Sequence, residues 1–60
     1  MMTLEEAVQW CIDQEVEVLF YRLNDEPMVI IYDLDDTERD AIGQGATLIE
    51  AVQEAKKRQS

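Results

Sequence analysis

Two stretches of this chain carry apolar residues at helical spacing, and two stretches between them read as strands. Leu4, Ala7, Val8, Cys11 and Ile12 fall at i, i+3, i+4, i+7 and i+8, one apolar stripe on a helix over residues 4–14. Trp10 lies off the centre of that stripe and reads as a lid over the core edge. Leu48, Ile49, Val52 and Ala55, joined by Ala51, form a second stripe on a helix over residues 48–58. The two helices open from near-copies of one heptapeptide, residues 3–9 and 47–53, each beginning Thr-x-x-Glu. In this capping box the threonine hydroxyl accepts from the third helical amide and the glutamate reaches back to the cap amide. Nothing between the copies repeats, so they are two good caps and not a duplication.

Residues 16–23 and 28–34 are rich in β-branched and aromatic side chains, and Asn24-Asp25-Glu26-Pro27 between them is a turn by composition. A hairpin centred on that turn sets Leu23 opposite Met28, Tyr21 opposite Ile30 and Leu19 opposite Tyr32. This face is almost wholly apolar and is expected to take the helices. The other face sets Val18 opposite Asp33, Phe20 opposite Ile31 and Arg22 opposite Val29, and is expected to stay open. Asp35-Asp36-Thr37 makes a second turn, residues 38–42 a short third strand, and Gly43 and Gly45 allow positive φ or a bulge. The predicted fold is one α+β domain over residues 1–60, ordered α-β-β-β-α. Its sheet is three-stranded and antiparallel, with both helices packed on one face.

Sixty residues make a marginal core. A chain this short buries about 60% of the surface its unfolded form exposes. Such a core rarely supplies more than roughly 3–5 kcal/mol without a disulfide, a metal or a partner chain. Cys11 is the single cysteine and histidine is absent, which excludes an internal disulfide and a zinc site of the usual Cys/His kind. On the apolar stripe, with no histidine to activate it, Cys11 reads as a small core residue and not a nucleophile. A lone thiol and no secretory segment fit a reducing cytoplasm. The longest apolar run, Met28 to Tyr32, is five residues, against the ~20 that span a bilayer.

Charge changes the picture most. Fourteen acids face five bases, for a formal net charge of -9. All fourteen acids lie in residues 1–55, while Lys56, Lys57 and Arg58 sit together where they match the dipole of a helix C-terminus. A surface this acidic is repelled by nucleic-acid phosphates and favours a basic partner.

Two resemblances accompany this reading. The run Val29-Ile30-Ile31-Tyr32-Asp33-Leu34-Asp35-Asp36-Thr37 resembles the first motif of haloacid-dehalogenase-like phosphatases, a strand leading into D-x-D-x-T. The resemblance implies Asp33 as phosphoryl-accepting nucleophile, Asp35 as general acid/base and a magnesium ion beside them. That family also needs a large parallel-sheet domain, a distant lysine and further acidic ligands, which this sequence does not supply. The acidic run is therefore read as a turn after a strand.

The second resemblance covers most of the chain as topology. A helix, three strands, then Gly43-x-Gly45-x-Thr47 opening an Ala-rich helix resembles the double-stranded-RNA-binding domain and the N-terminal part of HicB-type antitoxins. It implies the fold alone. The RNA-binding family carries a lysine cluster at the start of its last helix, where this chain has Thr47, Leu48, Ile49 and Glu50, and a histidine in a loop that here is acidic.

The expected function is a non-enzymatic acidic protein-binding module. It would be an inhibitor or antitoxin-like regulator of the phage or plasmid accessory type, as anti-CRISPR and anti-restriction proteins are. Such a module docks on a basic partner surface that ordinarily serves nucleic acid or nucleotide phosphates. The expected partner-binding residues are Val18, Phe20, Arg22, Val29 and Ile31 on the second sheet face, with Asp25, Glu26, Asp35, Asp36 and Glu38 in the acidic turns. No catalytic residue, metal, cofactor, nucleic acid or membrane is assigned. The alternative is a structural homodimer, built on the same patch or on the edge of the third strand, whose acidity serves only solubility. A remnant enzyme or metal binder at the Asp33 cluster ranks last.

Overall fold

Helices α1 (Leu4–Gln14) and α2 (Leu48–Gln59) start where their threonines place them, in a computed structural model that describes residues 1–34 and 41–59. Thr3 closes a full capping box. Its Oγ1 accepts from the Glu6 amide at 3.2 Å and Glu6 Oε1 accepts from the Thr3 amide at 3.1 Å. At α2 the Thr47 hydroxyl accepts from the Glu50 amide at 3.2 Å, but the Glu50 carboxylate takes the amide of Ala46, at 3.0 Å, instead of that of Thr47. The second box is thus displaced by one residue. At the other end of α2, Arg58 Nη1 donates to the carbonyl of Ala41 at 3.0 Å, tying the basic last turn to the sheet.

Three strands follow α1: β1 (Val16–Leu23), β2 (Glu26–Asp33) and β3 (Ala41–Gly45), antiparallel in the order β1-β2-β3. One residue joins α1 to β1. Glu15 adopts the left-handed conformation (φ 53°, ψ 51°), and its amide returns to the Ile12 carbonyl at 3.2 Å. The hairpin turn is tighter than composition indicates. Asn24 and Asp25 alone form it, both at positive φ (54° and 64°), as a two-residue type I′ turn requires and as these two side chains tolerate.

The register moves accordingly. Tyr21 pairs with Met28, Leu19 with Ile30, Phe20 with Val29 and Val18 with Ile31, each two positions from the expected partner. Pro27 falls inside β2, opposite Arg22, and β3 pairs with β2 only from Val29 onward. Among the described residues no third strand therefore asks for the amide hydrogen that proline lacks.

A second difference is independent of the first, because a shift of two leaves each side chain on its face. The helices cover the face of Val29 and Ile31, not that of Tyr21 and Ile30. Ile31 is wholly buried and Val29 is 4% exposed. The core joins these two to Ala7 and Cys11 of α1 and to Ala51, Val52 and Ala55 of α2, with Val16, Val18, Trp10 and Ile42 packed at its margin. Trp10 is the expected lid. Of the α1 stripe, however, only Ala7 and Cys11 enter, and Leu4, Val8 and Ile12 remain exposed.

The reason for this facing lies in β3. The strand runs over Ala41–Gly45 and not over residues 38–42, of which 38–40 lie outside the described residues. Gly43 sits opposite Ile31 and Gly45 opposite Val29, directly beneath α2. A methyl group on Gly43 would collide with the Ala51 carbonyl oxygen and stand 2.8 Å from Ala55 Cβ. One on Gly45 would stand 2.7 Å from Glu50 Cβ. Neither glycine takes positive φ; the expected bulge is present where the register slips between Ile31 and Tyr32, leaving Ile42 as the extra residue. The glycines are required by close approach.

Gly43→Ala should therefore destabilise the fold by about 1–3 kcal/mol, the usual cost of overpacking. Gln44→Ala, at the exposed neighbour, should stay within about 0.5 kcal/mol. Urea denaturation of the pair checks this, and equal small effects would mean that α2 does not need the contact.

Candidate partner-binding surface

The expected recognition patch does not assemble. Val29 and Ile31 are core residues, and Val18 is half-buried beneath the helices. Phe20 and Arg22 share that face of β1 yet are exposed, with Phe20 at 68%. They lie at the turn end of the strand. Asp25 and Glu26 are exposed at the hairpin tip. Asp35, Asp36 and Glu38 lie outside the described residues.

What stays uncovered is the opposite sheet face. Alternation from Glu17 places Leu19, Tyr21 and Leu23 of β1 there. Their cross-strand partners Ile30, Met28 and Glu26 share it, as does Tyr32 opposite Glu17. Leu19, Tyr21 and Leu23 are exposed, and Met28, Ile30 and Tyr32 are half-buried. Among the described residues no helix lies on this side. The face is an apolar plate of six side chains, bounded by Glu26 at the hairpin end and by the exposed Gln44 on β3. The sequence showed that these residues share one face. It did not show that the helices leave that face bare.

The plate has one polar feature. The phenol of Tyr21 is pushed above its usual value, first by desolvation, then by the charge of Tyr32 and by the hydrogen bond between the two side chains. On the helix side, burial pushes the Cys11 thiol up from its usual value. A raised thiol holds little thiolate at neutral pH, which keeps it inert.

Among the described residues no group of three or more acidic, cysteine or histidine side chains is placed to hold a metal ion. A shallow groove between α1 and the end of α2 is lined by Met2, Glu6, Gln9, Trp10, Asp13 and Lys56, and contains no nucleophile–base pair. Among the described residues no helix is long and apolar enough to cross a membrane.

Two titrations check this description. Cys11 should react with iodoacetamide at pH 8 at least about tenfold more slowly in the native protein than in urea, and equal rates would contradict its burial. Tyr21 should ionise above the ordinary phenol value of 10.0, and Tyr32→Phe should bring it back down. A folded-state value above the unfolded one favours the fold fully below pH 10, and that contribution disappears as pH rises through the raised value. Ultraviolet absorbance titration of wild type and variant reads both phenols.

Comparison of the chain with protein-family profiles, with curated proteins and with solved structures finds no match in any of the three, so its functional reading rests on the surface just described.

Proposed function

We propose that this chain is a non-enzymatic, acidic protein-binding module that docks its bare sheet face on a partner protein whose apolar contact is ringed by basic residues. The observation that carries the reading is the plate itself. Six apolar side chains on one face of a 60-residue domain exceed the scattered apolar exposure of an ordinary surface, and large patches of this kind mark interaction sites. Aromatic residues and methionine, here Tyr21, Tyr32 and Met28, are the types enriched at the centre of protein interfaces. The net charge of -9 supplies the second half of the argument. It speeds encounter with a positive surface and rejects negative ones. Positive protein surfaces commonly serve nucleic acid or nucleotide phosphates. A module that covers one acts as an inhibitor or an antitoxin-like regulator.

The test is affinity capture from extract of the native host, followed by mass spectrometry and a binding measurement with the purified partner. The expected partner has a basic surface and binds less tightly as salt rises. Ile30→Thr, which keeps a strand former while adding a hydroxyl at the centre of the plate, should weaken binding by about tenfold or more. A partner whose binding is indifferent to salt and to Ile30→Thr would overturn the proposal.

A further inference from the structure

The exposed apolar side chains are not spread evenly. Apart from Met1 and Leu34, every large one belongs to α1 or β1. On α1 they are Leu4, Val8 and Ile12, spaced four apart along one flank. The opposite flank carries Glu6, Trp10 and Asp13 and faces Lys56 of α2 across the groove. Leu4, Val8 and Ile12 therefore point away from α2, toward the β1 side of the molecule. On β1 itself Phe20 is exposed on the helix side, and Leu19, Tyr21 and Leu23 on the other. One margin of the domain is thus apolar above, below and along the strand.

That margin is also an open sheet edge. β1 pairs with β2 on one side only, and among the described residues no strand pairs with its outer side. The strand is eight residues long, with no proline and no register slip. These are the features that natural edge strands ordinarily avoid. In a two-residue hairpin the pair flanking the turn is hydrogen-bonded, so the odd-numbered amides of β1 face β2 and those of Val18, Phe20 and Arg22 point outward.

We infer that β1 pairs antiparallel with β1 of a second copy of this chain, about a two-fold axis at Phe20, to give a continuous six-stranded sheet. Three considerations select a second copy. The first is self-complementarity. This register sets Phe20 on its own mate, Leu19 on Tyr21 and Val18 on Arg22, satisfies the outward amides in pairs, and brings no like charges opposite one another on the strand. The second is area. The four exposed side chains on the helix side of this margin, Leu4, Val8, Ile12 and Phe20, offer on the order of 300 Å² of apolar surface, and the open backbone edge of β1 adds to it. A standard interface takes about 800 Å² from each partner, a little over half of it apolar. The third is need. Among the described residues only two large side chains, Ile31 and Val52, are fully buried in the single chain. A core that small calls for a staple that is present whenever the chain is, and a second copy meets that condition where an occasional partner does not. This inference does not rest on the proposed partner, since the bare plate of the sheet remains open in the dimer.

Sedimentation equilibrium of the full chain across micromolar concentrations tests it. The expected mass is twice the 7.0 kDa of one chain. Association of two chains of net charge -9 should tighten by about threefold or more on going from low salt to about 0.5 M, because screening relieves their repulsion. Docking on a basic partner responds to salt in the opposite sense, so the two ideas fail separately. Phe20→Asp should weaken self-association by on the order of a hundredfold through buried like charges, and the chain should still melt cooperatively but at a lower temperature. Ile12→Glu, on the exposed α1 flank, gives the same loss without touching the sheet, should the first variant fold poorly. Ile30→Thr should leave the dimer intact. Slow exchange of the Val18, Phe20 and Arg22 amides in the wild type, lost in Ile12→Glu, would place the contact at this edge. A monomer at every salt concentration, or a dimer that Ile30→Thr dissociates and Phe20→Asp does not, would overturn the inference.

Discussion

The rest of the structure depends on the distance at which α2 approaches β3. Gly43 and Gly45 put no side chain of their own between that strand and α2, and Ala51 and Ala55 present only methyl groups from above. Backbone therefore rests nearly on backbone. The close approach determines which face of the sheet is inside, since only small or β-branched side chains fit under a helix held so low. Val16, Val18, Val29 and Ile31 meet that condition. Tyr21, Tyr32, Leu23 and Met28 do not, and two phenol hydroxyls beneath alanines would have lacked partners. The bare plate is thus a consequence of the glycines.

The same constraint explains why so little is buried. A helix that sits low displaces water from a narrow strip and leaves the margins of the sheet uncovered. α1, with Ala7 and Cys11 inward, follows the same small-residue rule and turns its larger side chains outward. Stability is then shared between a small dry centre and local devices: the Thr3 capping box, the Thr47 cap, the Arg58 contact to Ala41 and the left-handed Glu15 link.

Element order and most boundaries were legible because they rest on local chemistry. Thr-x-x-Glu marks a helix start wherever it stands, and β-branched runs between turn residues read as strands. Facing and register were not legible for the same reason. Both faces of the hairpin are apolar, so alternation alone does not choose between them. The length of the turn was hidden by Pro27, which reads as turn material until the short reach of β3 is known. The informative residues were the glycines. Placed in the strand, opposite Val29 and Ile31, they identify the helix side at once; taken as loop residues, they say nothing. The acidic turn at Asp35, Asp36 and Glu38 remains a sequence expectation only.

The order of elements along the chain has a consequence for folding. α2 follows all three strands and delivers Ala51, Val52 and Ala55, which cover Val29 and Ile31. A chain whose strands have paired before α2 docks therefore carries two apolar faces, not one. Such a form is the one most prone to associate wrongly. A net charge of -9 opposes that association by repulsion between chains, before it serves any surface of the finished fold.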